Sequence, residues 1–142
     1  MEVRYAAHCN YRIRYHMVFV VNYRKNLLSN VVSKYLKEVL IRIGQRYYLG
    51  FHAIGTDEDH LHILVEAAPR YSPSQVMMIC KSITAKEASK KFPELKEELW
   101  CGHFWTEDGH IDTVSDGYGE AQMKKYIRKQ GRDPNQLKSL NF

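Results

Sequence analysis

The chain has 142 residues, 44% hydrophobic and 26% charged, and its 21 Lys and Arg against 16 Asp and Glu give a net charge of +5. That length suits one domain, 1–142, with a sizeable core, and the composition excludes a disordered chain. The positive balance permits a nucleic-acid partner without demonstrating one.

Tyr11 to Val21 alternates. Tyr11, Ile13, Tyr15, Met17, Phe19 and Val21 share one face, while Arg12, Arg14 and His16 take the other, which predicts a strand. After the polar break Asn22–Asn26, Ser29 or Asn30 caps a helix with apolar residues at Val32, Leu36, Val39, Leu40 and Ile43, ending close to Gly44. Tyr47 to Gly55 reads as a second strand, joined through Thr56–Asp59 to a third, His60 to Glu66, as an antiparallel hairpin. Pro69 breaks that strand, and Ser72-Pro73 starts a second helix that buries Val76, Ile79, Cys80 and Ile83 and stops at Phe92-Pro93. Trp100 to Thr106 and His110 to Val114 read as two short strands around the turn Glu107-Asp108-Gly109. Gly117 and Gly119 precede a last helix, about Glu120 to Gln130, closed by Gly131; the domain core is about 11–131, and the tail 132–142 is polar.

The order β-α-β-β-α-β-β-α predicts an α+β fold. A single antiparallel sheet of ferredoxin-like or RRM-like type carries both long helices on one face, and the other face is left open. Cys9, Cys80 and Cys101 form no CxxC pair, so reduced thiols are expected rather than a disulfide framework or zinc knuckle. With no apolar leader and no apolar run of spanning length, a cytoplasmic protein without a membrane partner is expected.

His60-Leu61-His62, within Asp59–Val65, is the most informative motif. Strand side chains alternate and rise roughly 3.3 Å per residue, so both imidazoles project from one face, about 6–7 Å apart. Leu61, Ile63 and Val65 go to the opposite, core-facing side. The pattern fits a metal platform, or two polar residues on a solvated face. On the last helix Tyr126 and Gln130 stack one turn apart, with Cβ atoms roughly 5–6 Å from each other. A phenol and an amide so placed can set a nucleophile beside a cation, although the same spacing serves an ordinary amphipathic surface. The run Lys124, Lys125, Arg128 and Lys129 adds charge there.

The segments Tyr15–Lys25, Asp59–Val65 and Lys125–Gln130 (KYIRKQ), in this order and at these distances, resemble the signatures of one family. This is the small HUH-type transposases of bacterial and archaeal insertion sequences, which use a single catalytic tyrosine. The resemblance runs from about Arg14 to Gln130. It implies an HUH endonuclease fold with Tyr126 as nucleophile and His60, His62 and Gln130 as metal ligands. The metal implied is Mg²⁺ or Mn²⁺, because an amide ligand, open positions and a phosphate substrate favour harder cations than zinc. The implied reaction cleaves and rejoins single-stranded DNA through a 5′-phosphotyrosine, at transposon ends that form hairpins. The implied assembly is a homodimer with active sites shared between subunits.

Arg12, Arg14, Lys34, Lys37, Arg42, Lys124, Lys125 and Arg128 are candidate phosphate contacts. Arg128 and Lys129 stand where relatives are often acidic or neutral. The alternatives are a non-catalytic single-strand-binding module of RRM-like fold, in which the histidines are incidental, and a domesticated HUH nuclease.

Overall fold

In the computed structural model, which describes residues 2–115 and 118–130, a small ribbon of β1 (Arg4–Tyr5) and β2 (Asn10–Tyr11) precedes a four-stranded sheet. The sheet strands are β3 (Arg14–Val21), β4 (Gly50–Thr56), β5 (His60–Glu66) and β6 (Trp105–Thr113), in the order β4-β5-β3-β6 and antiparallel throughout. Helix α1 (Asn30–Tyr47) connects β3 to β4, and α2 (Pro73–Lys91) with the short α3 (Glu94–Glu98) connects β5 to β6. The expected α+β architecture, with both long helices on one face, is what the chain adopts.

The main core lies between that face and the helices. Met17, Phe19 and Val21 of β3 and Leu61, Ile63 and Val65 of β5 meet Val32, Leu36, Val39, Leu40 and Ile43 of α1 and Val76, Cys80 and Ala88 of α2. Period-two and period-3.6 patterns thus converge on one interior. Ser29 caps α1 by accepting from the Val32 amide, and Ser72 and Gln75 form a reciprocal capping box at the start of α2.

Several expected boundaries change; the second strand, expected over Tyr47–Gly55, is Gly50–Thr56, because α1 continues through Tyr47. The first strand begins at Arg14 because Asn10–Tyr11 pairs with Arg4–Tyr5 instead. Gly44 lies inside α1, which runs on to a left-handed Tyr48 (φ 56°). A Cβ at Gly44 would sit 2.7 Å from the Leu49 carbonyl oxygen, so glycine there lets the chain fold back into β4. The two short strands expected around Glu107-Asp108-Gly109 are one strand, β6. Its pairing with β3 shifts between Phe19, opposite Gly109, and Val21, opposite Trp105. The extra residues bulge, and the Lys81 ammonium donates to the carbonyls of Thr106, Glu107 and Asp108, which holds the bulge in place. The expected closing Gly131, the tail 132–142 and Gly117 lie outside the described residues.

The second face of the sheet is not open. Helix α4 (Tyr118–Arg128) lies across it, with Ile127 packed on Ala53 of β4 and Leu64 of β5. A Cβ at Gly55 would stand 2.1 Å from the Ile127 carbonyl oxygen, so only a glycine admits the helix backbone so close to β4.

Candidate active site

Strand register builds the site. Val20 of β3 faces His60, Val18 faces His62, His16 faces Leu64 and Arg14 faces Glu66. Side chains of one face therefore place His60, His62 and His16 together. The rings of His60 and His62 lie 6.2 Å apart, within the range expected from strand geometry. Both residues are buried, and Tyr126 of α4 packs against His62.

Each ring is oriented from behind. His60 Nδ1 is 2.5 Å from Asp59 Oδ1, so Nδ1 donates to the carboxylate and Nε2 keeps its lone pair. His62 Nδ1 is 3.2 Å from His16 Nε2. Burial, reinforced by the neighbouring imidazoles, lowers the pKa of His62 to about 3, and burial followed by His110 lowers that of His16 to about 4. Both rings are neutral at physiological pH, the state a metal requires. Beyond them on β6, His110 Nε2 meets Asp112 Oδ2 at 2.6 Å.

Helix α4 brings the other half. The Tyr126 ring stands edge-on to His62 at 6.0 Å and to His16 at 6.2 Å. Gln130 is buried just beyond the helix and donates from Nε2 to the Tyr126 carbonyl at 3.3 Å. Burial raises the Tyr126 pKa, and the Gln130 side chain works against that rise without closing a hydrogen bond on the hydroxyl. Of the cations on this helix, Lys124 places its Nζ 3.1 Å from Glu120.

Among the described residues no three His, Cys, Asp or Glu side chains converge as a metal site, so a cation on His60 and His62 needs a donor of another kind. The residues present fit one. His62 Nε2, Gln130 Oε1 and the Tyr126 hydroxyl are all buried with no hydrogen-bond partner. An imidazole nitrogen and an amide oxygen with free lone pairs suit a divalent cation, and the hydroxyl between strand and helix suits a nucleophile.

The candidate phosphate contacts separate into groups. Arg14 is not a surface cation: it is 5% exposed, with Nε 3.0 Å from Glu66 and its guanidinium also paired to Glu120. It ties α4 to the sheet. Lys34, Lys37 and Arg42 are exposed on α1, across the core from the histidines. Arg12 is exposed before β3. Lys124, Lys125 and Arg128 line, with Ala121 and Lys129, a groove of about 420 Å³ on α4.

The sequence reading missed His16, Asp59, His110 and Asp112. His16 was already on the polar face of its strand and Asp59 already adjoined the motif. What was invisible was the register that sets His16 beside His62.

Known proteins resemble this chain in sequence and fold. The family described as "Transposase IS200 like" matches residues 9–130. The ISDra2 transposase TnpA of Deinococcus radiodurans is 32% identical over 120 residues, covering 84% of this chain and 85% of that protein. The transposase of insertion sequence element IS200 from Salmonella typhimurium is 26% identical over 124 residues, 87% of this chain and 80% of its own. A crystal structure of a presumed transposase from Deinococcus radiodurans superposes with a TM-score of 0.73 at 27% identity, covering 90% of this chain and 98% of the other. A REP-associated tyrosine transposase bound to a REP hairpin shares the fold, with a TM-score of 0.55 at 11% identity over 81% of this chain and 64% of that one.

These likenesses define the class, an enzyme of DNA transposition that cuts and rejoins strands. Within that class, the chain belongs to the IS200-like transposases.

Proposed function

We propose that Tyr126 cleaves and rejoins single-stranded DNA at the ends of an insertion sequence, beside a Mg²⁺ or Mn²⁺ ion held by His60, His62 and Gln130. The observation that carries this reading is the set of buried atoms without hydrogen-bond partners on β5, on α4 and just beyond it: His62 Nε2, the Tyr126 hydroxyl and Gln130 Oε1. An unsatisfied buried polar group costs about 1–3 kcal/mol, and three of them on residues linked through the Tyr126 ring and carbonyl favour a ligand over packing. The cation would withdraw charge from the scissile phosphate.

The chain's own residues supply the rest. Asp59 and His16 hold the two imidazoles in the orientation that presents Nε2. Tyr126 gives up its phenolic proton and its oxygen attacks phosphorus. The P–O3′ bond breaks, and the departing oxygen takes up a proton to become a free 3′-OH. The strand stays joined to Tyr126 as a 5′-phosphotyrosine, which conserves the phosphodiester bond energy, so a different 3′-OH can reverse the step without ATP. The enclosure between sheet and helix favours a single strand, since a stacked duplex cannot enter it readily. A neighbour of the same fold was solved on a DNA hairpin, which supports hairpin-bearing ends as substrates.

The working assembly we propose is a homodimer that exchanges α4. Within one chain, α4 rests on its own sheet through a small cluster of Ala53, Leu64 and Ile127. A second copy offers the same seat, so exchange preserves these contacts while placing Tyr126 over the partner's histidines.

The test is incubation with single-stranded DNA from the flanking locus, in Mg²⁺ or EDTA, read on a denaturing protein gel. A slow-migrating, metal-dependent adduct is expected. Binding without an adduct would make the protein a non-catalytic single-strand-binding module.

A further inference from the structure

Two loops meet beside the His60 end of the sheet, and both carry backbone that bulky residues rarely adopt. Tyr23 (φ 60°) and Arg24 (φ 52°) follow β3, while Trp100 (φ 49°) and Cys101 (φ 58°) follow α3. Left-handed φ at non-glycine residues is a steric cost, and such residues gather where a ligand is held. The strain here buries nothing. Trp100 is 68% exposed and Tyr23 57% exposed, with their rings edge-to-face at 4.9 Å.

The aromatic pair is set among cations. Lys25 Nζ lies 4.7 Å from the centre of the Trp100 ring. Arg24 points its Nε toward Asp59 Oδ2 at 3.9 Å, and the other oxygen of that carboxylate holds His60 Nδ1. Arg24, next in the chain to Tyr23, is therefore separated from His60 by a single carboxylate. Exposed rings with adjacent Arg and Lys are what a single nucleic-acid strand requires: a face for a base and charges for its phosphates.

We infer that Trp100 and Tyr23, flanked by Arg24 and Lys25, seat an unpaired nucleobase of the DNA strand whose phosphate reaches His60 and Tyr126. This rests on the strand-cleaving reading above. It adds a positioning surface outside the metal and nucleophile set, which would hold the strand in line with the site. Because every base has a π face, the seat would tolerate any base and favour those that stack well.

The test uses a dye-labelled oligothymidylate without a hairpin, in EDTA, with binding read by anisotropy and by quenching of tryptophan emission. Trp100→Gly is the informative variant: glycine accepts φ 49° without strain, so its melting temperature should be no lower than wild type while its affinity falls. A loss of about five- to tenfold is expected for Trp100→Gly and for Tyr23→Ala, with most of the affinity regained in Trp100→Phe. Trp100→Gly binding as tightly as wild type would overturn the inference, and wild-type adduct formation in Mg²⁺ would then leave the strand-cleaving reading standing. Stacking on Trp100 with no adduct would do the reverse. Unchanged DNA affinity with lost self-association would assign the pair to a second copy of the chain and also overturn it.

Discussion

His16 Nε2 stands 3.2 Å from His62 Nδ1, with the two rings stacked 5.5 Å apart, so a residue on β3 sets the orientation of a proposed ligand on β5. Replacing His16 with Phe keeps the buried volume and removes the hydrogen-bond partner of His62. Metal affinity, measured by titration calorimetry, is expected to fall about 10- to 100-fold. Adduct formation should recover at high Mn²⁺, and a His16→Phe chain with wild-type metal affinity would break this link.

Tyr126→Phe separates chemistry from packing. Its hydroxyl is buried without a partner, so removing it should leave stability unchanged or raise it by up to about 1 kcal/mol. Hairpin DNA should still bind and no covalent product should form. An adduct from this variant would exclude Tyr126 as the nucleophile.

Gly55→Ala tests the seat of α4. The new methyl would meet the Ile127 carbonyl oxygen at 2.1 Å, a backbone contact that only movement of the helix can relieve. A displacement of about an ångström costs on the order of 100-fold in a positioned reaction, so adduct yield should collapse. The main core lies on the other face, so the far-ultraviolet dichroism should be retained. Full activity in Gly55→Ala would mean that α4 does not work from this position.

The cations divide by salt dependence. Lys125→Ala and Arg128→Ala should each weaken DNA binding and reduce the slope of log affinity against log salt by about 1. Arg14→Ala should instead lower the melting temperature with the slope unchanged, because it leaves Glu66 and Glu120 without their shared partner.

Mixing Tyr126→Phe with His60→Ala examines helix exchange. Neither homodimer should cut. With random pairing, half the dimers hold one intact site of two, so activity should return to roughly a quarter of wild type. The strand should attach only to the His60→Ala chain, which a size tag would reveal. No recovery after verified subunit exchange would confine the site to one chain.

Much of this was legible in the chain because strand alternation is strict. The two faces of His60–Val65 followed from period two alone, and Val32 to Ile43 marked the buried face of α1 without further help. Tyr126 and Gln130 could be placed on one helix face, yet only the family resemblance gave a reason to look there. What escaped the sequence was set by long-range geometry. The polar Glu107-Asp108-Gly109 reads as a turn, but the Lys81 ammonium holds it as a bulge within one strand. Arg14 looks like a surface cation until Glu66 and Glu120, brought from distant segments, enclose it.

The sheet is thus packed unequally on its two sides, by two long helices on one and by a single turn of apolar contact around Ile127 on the other. Opening of the large interior would dissolve the histidine row with everything else, whereas α4 can detach while that interior stays shut. In hydrogen exchange the amides of β5 should share the slowest, global rate, and those of α4 should exchange through a cheaper local opening. The histidine row proposed to hold the cation is then a permanent property of the folded chain. Tyr126 and Gln130, the proposed nucleophile and third ligand, meet that row only while the helix is seated, so the enzyme can be folded and still unable to cut.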